Sequence, residues 1–130
     1  MIVANWKANG DIKKNYLWCE TFQNLLDKSS FNYVGISPSH IHFHQLNTFF
    51  KETNVMIGMQ DIYIEGGAIT GSISAEMASA DGCSFCLVGH SERREIFNED
   101  GNLISKKISS LLKNNIKPIL CIGESFEEHK

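Results

Sequence analysis

The sequence predicts an α/β fold in which a parallel sheet is covered by helices. Three observations carry this. Short runs that are apolar on both faces recur along the 130 residues, as strands buried on two sides require. Stretches with helical apolar spacing separate them. No Pro/Gly/Ser-rich linker divides the chain, so residues 1–130 read as one domain. Two architectures satisfy the pattern, an open doubly wound sheet and a closed barrel, and periodicity does not choose between them.

The elements follow in order. Ile2-Val3-Ala4 is a first apolar run, and Asn9-Gly10-Asp11 is a turn. From Lys13 the spacing becomes helical, with Trp18, Phe22, Leu25 and Leu26 on one face. Val34-Gly35-Ile36 reads as a second strand, which Ser37-Pro38-Ser39 ends before opening a helix marked by Phe43, Leu46 and Phe50. Val55 to Met59 is a third strand, followed by a long glycine-rich loop from Asp61 to Ser72. Ser74 to Ala80 suits a short helix, and Phe85 to Val88 a fourth strand. Ile104, Ile108, Leu111 and Leu112 mark one further helix face. Ile116 to Ile122 is a fifth strand, with Pro118 near its start, where a missing N–H is tolerated. Glu124 to Lys130 reads as the start of another helix.

Composition narrows the function classes. Apolar residues make up 42% and charged residues 21%, with a net charge of −3. No basic stripe is present, so nucleic acid is not the expected partner. A phosphorylated ligand remains compatible, because one local cation and backbone N–H groups hold such groups. No apolar stretch reaches a membrane span, and the N-terminus lacks a basic leader. A membrane partner is therefore not expected, and a cytoplasmic location is the default.

The cysteines are Cys19, Cys83, Cys86 and Cys121. Cys83 and Cys86 have the C-x-x-C form of a redox pair or half a zinc site. Residues 83 to 88 read as a strand, however, and positions three apart on a strand face opposite sides. Reduced, mostly buried thiols are the reading this supports. His40 and His44 share a helix face and His42 does not, and no H-E-x-x-H pattern follows, so no metal is expected. Gly66-Gly67-Ala68-Ile69-Thr70-Gly71 matches neither standard nucleotide loop.

Both architectures place chemistry beyond the C-terminal strand ends. Here those ends carry Asn5-Trp6-Lys7, Gln60-Asp61, Gly89-His90-Ser91-Glu92-Arg93-Arg94 and Cys121-Ile122-Gly123-Glu124. An amide, an ammonium, an imidazole and carboxylates thus point to one rim. Lys7 suits an anion. Ser91 is a candidate N-cap, and helix N–H groups near His90 disfavour its charged form, making it a hydrogen-bond donor. Asp61 could simply cap the loop that follows it, and Glu92, Arg93 and Arg94 could form an ion-paired helix start.

Asn5-Trp6-Lys7-Ala8-Asn9-Gly10, Gly67-Ala68-Ile69-Thr70-Gly71, Val88-Gly89-His90-Ser91-Glu92-Arg93-Arg94 and Cys121-Ile122-Gly123-Glu124 together resemble the triosephosphate isomerase family. The resemblance implies a (β/α)8 TIM barrel, of which residues 1–130 would supply strands one to five as the N-terminal portion of a single domain. A full barrel takes about 250 residues. It also implies cofactor-free interconversion of dihydroxyacetone phosphate and glyceraldehyde 3-phosphate, in glycolysis and gluconeogenesis, by a homodimer. By this resemblance Lys7 offsets substrate charge, Asn5 hydrogen-bonds a substrate oxygen, with Trp6 between them, and His90 donates to the enediolate. Ser91 and Glu92 support them, Cys121 packs beside the base, and Thr70 reaches into the neighbouring subunit.

Two departures stand out. Ser72 occupies a position where the family usually has Glu, which removes an expected cross-subunit partner for Arg93. The family's glutamate base, its lid and its phosphate loops belong to strands six to eight. Residues 1–130 alone are therefore expected to be inactive, and a half-barrel that works only when complemented by another chain is the alternative. A thiol oxidoreductase using Cys83 and Cys86 is the remaining enzyme reading.

Overall fold

The computed structural model describes residues 1–25 and 33–123. Leu26 and the expected helix start at residues 124–130, with Glu124, lie outside the described residues. The element order is β1 (Ile2–Asn5), α1 (Ile12–Leu25), β2 (Val34–Ser37), a 3₁₀ turn (His40–His42), α2 (Phe43–Phe49), β3 (Met56–Met59), α3 (Ala75–Ala80), β4 (Phe85–Val88), α4 (Ser91–Phe97), α5 (Gly101–Lys113) and β5 (Lys117–Leu120).

The five strands form one parallel sheet in the order β1-β2-β3-β4-β5. Neighbours in sequence are neighbours in space. A doubly wound sheet reverses its strand order at a switch point, so this order selects the barrel, and the sheet curls into an incomplete one.

Alternation along the strands separates two layers. Ile36, Ile57, Met59, Cys86 and Val88 pack outward with helix residues Cys19, Phe43, Leu46, Ala78, Ile104 and Leu111 in one buried cluster. The opposite face carries Gly35, Gly58 and Phe85. A Cβ at Gly58 would stand 2.5 Å from the Phe85 ring, and one at Gly35 would stand 2.8 Å from it. Two strand glycines thus make room for one aromatic ring that covers three strands.

Burial falls from the centre to the edges. All four residues of β4 are buried, whereas Ile2 of β1 is 74% exposed and Leu120 of β5 is 46% exposed. Among the described residues, β1 and β5 each have a neighbouring strand on one side only.

Three expectations are corrected. Of the expected α1 face of Trp18, Phe22 and Leu25, Phe22 packs against the core, but Asn15 and Cys19 are the fully buried residues and Leu25 is 79% exposed. The reason is the edge: β1 ends the strand order, and among the described residues no strand lies on its outer side. Leu112 is likewise exposed, and Lys107 takes a buried place on α5. Finally, two helices rather than one join β4 to β5. α4 ends where Asn98 adopts a left-handed conformation, φ 54°, and Asp100 caps α5 by accepting from Leu103 N at 2.8 Å. Among the described residues no helix is long and apolar enough to cross a membrane.

Candidate active site

The C-terminal end of β1 runs into an uncommon backbone. Lys7 has φ 53°, a left-handed conformation that costs a non-glycine residue about 1–3 kcal/mol. Four hydrogen bonds fix it and the strand end beside it. Lys7 N donates to Asn5 Oδ1 at 3.0 Å, and Trp6 N donates to Ser37 O of β2 at 3.0 Å. Gln60, just past β3, donates from one Nε2 to Lys7 O at 2.8 Å and to Ser37 O at 3.0 Å. The side chain at the end of the third strand thereby sets the carbonyl of the first.

The Lys7 ammonium then reaches across the rim to the β4–α4 turn. Its Nζ lies 2.6 Å from Glu92 Oε1, and the Lys7 hydrogen bond is the main reason the exposed Glu92 carboxyl titrates below the ordinary glutamate value. Exposed pairs of this kind contribute little stability, so the consequence is positional.

His90 is the N-cap of α4, and Ser91 is its first helical residue, which corrects the expected cap. Ser91 lies inside the first turn, and the Glu92 N–H that a cap would satisfy is taken by the His90 ring. His90 Nδ1 accepts from Glu92 N at 3.4 Å and also stands 3.3 Å from Glu92 Oε2. The two contacts make opposite demands, because the carboxylate contact needs a proton on Nδ1 and the cap needs a lone pair. The backbone N–H is always a donor, and Glu92 already serves Lys7. The cap therefore governs, leaving the ring proton on Nε2 as a donor.

The structure thus brings Asn5, Lys7, His90 and Glu92 together. Trp6 flanks them, with its ring edge-on to Trp18 at 4.9 Å and its carbonyl accepting from Asn9 at 2.8 Å. Cys121 is partly buried just past β5, its N–H bonded to Val88 O at 2.8 Å and its thiol pushed up by burial. Arg94 joins the β4 and β5 ends by donating to Gly89 O at 2.7 Å and Cys121 O at 3.2 Å. Thr70 lies exposed on the long loop.

Behind the rim lies a network that motif reading missed. Lys107, 2% exposed, donates to Asp61 Oδ1 and Glu99 Oε1, both at 2.6 Å. Arg93 Nε stands 2.6 Å from the same Glu99 oxygen and 3.1 Å from Asp61 Oδ2. Asp61 is therefore an ion-pair member rather than a loop cap. Burial holds its carboxyl above the usual aspartate value, although both cations pull the other way. The available signal was Lys107 itself, a lysine on the apolar stripe of Ile104, Ile108 and Leu111.

The other candidates separate. Cys83 precedes β4 and Cys86 lies within it, and both are free and buried. Burial pushes the Cys83 thiol up to about 11 and holds that of Cys86 well above the usual range, the reverse of an activated thiol. His40 is partly buried, His42 buried and His44 exposed. A cleft of about 710 Å³ between the long loop and α5 is lined by Tyr63, Ile69 and Lys113 and holds none of the rim residues.

A sequentially ordered parallel sheet that presents its polar groups at the C-terminal rim defines half of a (β/α)8-barrel enzyme fold. The family model for triosephosphate isomerase matches residues 1–130. Triosephosphate isomerase of Aquifex aeolicus (strain VF5) is 38% identical, covering 100% of this chain and 53% of that protein. That of Legionella pneumophila (strain Paris) is 33% identical, with 100% and 53% covered. The crystal structure of triosephosphate isomerase from Bartonella henselae superposes with a TM-score of 0.86 at 26% identity, over 98% of this chain and 52% of that one. The chain belongs to the triosephosphate isomerase family, and it spans about half the length of these relatives.

Proposed function

We propose that this chain supplies the electrophilic, charge-neutralising half of an active site that interconverts dihydroxyacetone phosphate and glyceraldehyde 3-phosphate. One observation carries the reading: Glu92 holds Lys7 Nζ at 2.6 Å with its carboxylate and donates its backbone N–H to His90 Nδ1 at 3.4 Å. The ends of β1 and β4 are thereby joined through one carboxylate. Lys7 faces the substrate's negative charge, and Asn5 hydrogen-bonds a substrate oxygen beside Trp6. His90 donates its Nε2 proton to the oxygen that becomes anionic when the carbon-bound proton leaves. Such preorganised donors are worth most where charge develops. Ser91 begins the helix that His90 caps, and Cys121 packs beside the base. Thr70 serves a second subunit, in a dimeric, cytoplasmic enzyme of glycolysis and gluconeogenesis.

The proton acceptor of this reading is a glutamate following a sixth strand, which residues 1–130 do not include. General-base catalysis is typically worth about 10²–10⁴-fold, so residues 1–130 by themselves do not turn over at a useful rate. The second reading is a half-barrel module completed by another chain, and the one-sided pairing of β1 and β5 favours it. A coupled isomerase assay tests both. Residues 1–130 alone should give no turnover. Mixing with a polypeptide carrying strands six to eight of the Aquifex aeolicus relative should restore it, and Lys7→Ala should abolish it again. Near-full turnover by residues 1–130 alone would refute the assignment of the base.

A further inference from the structure

We propose that Lys107, buried on α5 and outside the rim, is a positioning residue for Lys7 and Glu92, acting through a closed circuit of contacts. The inference deepens the reading above, since it matters for turnover only if that rim is the active site.

The circuit can be followed atom by atom. Lys7 Nζ is held by Glu92 Oε1 at 2.6 Å. Glu92 is followed by Arg93, whose Nε stands 3.1 Å from Asp61 Oδ2. Asp61 is preceded by Gln60, whose Nε2 donates to Lys7 O at 2.8 Å. The same lysine is thus gripped at its ammonium and at its carbonyl by two chain segments that meet at Asp61 and Arg93. Lys107 clamps that meeting point, with Asp61 and Glu99 each 2.6 Å from its Nζ. Arg93 lies 2.6 Å from the same Glu99.

The energetics make the clamp decisive. Lys7 is strained at φ 53° and relaxes unless its surroundings hold it. Lys107 and Glu99 are almost fully buried, and an unpaired buried charge does not persist. If Lys107 loses its charge, Asp61 and Glu99 are left with Arg93 alone. Asp61 must then take up a proton or turn toward water, carrying Gln60 with it. Glu92 is displaced from the other side as Arg93 shifts.

Carboxyl-labelled NMR on the purified chain tests this without substrate. In Lys107→Met, whose side chain keeps the stem volume, the Glu92 titration midpoint should rise toward that of a free glutamate. The Lys7 amide signal should move as its Asn5 hydrogen bond loosens. Asp61→Asn, which cuts the same circuit with little change in volume, should do likewise. Lys106→Met, at the exposed neighbour, should leave both signals in place. A folded Lys107→Met or Asp61→Asn protein with unchanged Glu92 and Lys7 signals overturns the proposal. So does loss of the dispersed amide spectrum in both variants, since Lys107 is then a folding residue. Because no turnover is read, a failed isomerase assay sinks the functional reading and leaves this one standing.

Discussion

At the scale of single residues, environment separates groups that look alike in sequence. Cys83 and Cys86 form a C-x-x-C pair, yet both sit in apolar surroundings, whereas Cys121 is partly accessible. A thiol titrating near 11 instead of 9.0 carries about 100-fold less thiolate at pH 8. Native iodoacetamide labelling at that pH should therefore modify Cys121 first. Cys83 and Cys86 should react only after denaturant is added, and mass spectrometry of the digests reads the order. Glu92 has the opposite shift. Its folded carboxyl binds protons less readily than an unfolded glutamate at 4.5, mainly because of Lys7. The link it forms is complete above 4.5 and is lost as pH falls through the lower folded value. Carboxyl NMR of Glu92 in the native protein should show that low midpoint, and Lys7→Met should raise it.

At the scale of elements, the sequence was most legible where burial is complete. Phe85 to Val88 was readable to the residue, because a strand covered on both faces leaves a continuous apolar run. The α1 face was only partly legible: Phe22 packs on the core and Trp18 stacks on the Phe22 ring, whereas Leu25 obeys helical spacing yet stays exposed. The break between α4 and α5 was missed because it is made by Asn98, one residue in a left-handed turn. Asn5, Lys7 and His90 could be found because each lies at or just past the C-terminal end of a strand. Their coupling to Glu99 and Lys107 could not, because it depends on side chains meeting from separate elements. The inner face gives a test of its own. A methyl group at Gly58 would sit 2.5 Å from the Phe85 ring, so Gly58→Ala should cost about 1–3 kcal/mol in urea unfolding. Adding Phe85→Leu should return part of that loss, because the two sites share one space.

At the scale of the whole molecule, what matters is where the sheet stops. β4, in the interior, is buried throughout, whereas Ile2 and Leu120 on the terminal strands remain open. Unpaired parallel edges beside exposed apolar side chains invite association. Residues 1–130 prepared alone should show concentration-dependent self-association in sedimentation velocity. Addition of a polypeptide carrying the later strands should suppress it. A monodisperse monomer with one cooperative unfolding transition would contradict this.

The ring of Phe85 lying over Gly35 and Gly58 has a further effect, on how the strands align as they come together. Sliding β3 by one position along β4 would bring Ile57 or Met59 beneath that ring, where only a hydrogen atom fits. The two glycines therefore act as a keyway: they admit one alignment of the central strands and jam the adjacent ones. The rim groups at the far ends of those strands are brought level with one another by the same device.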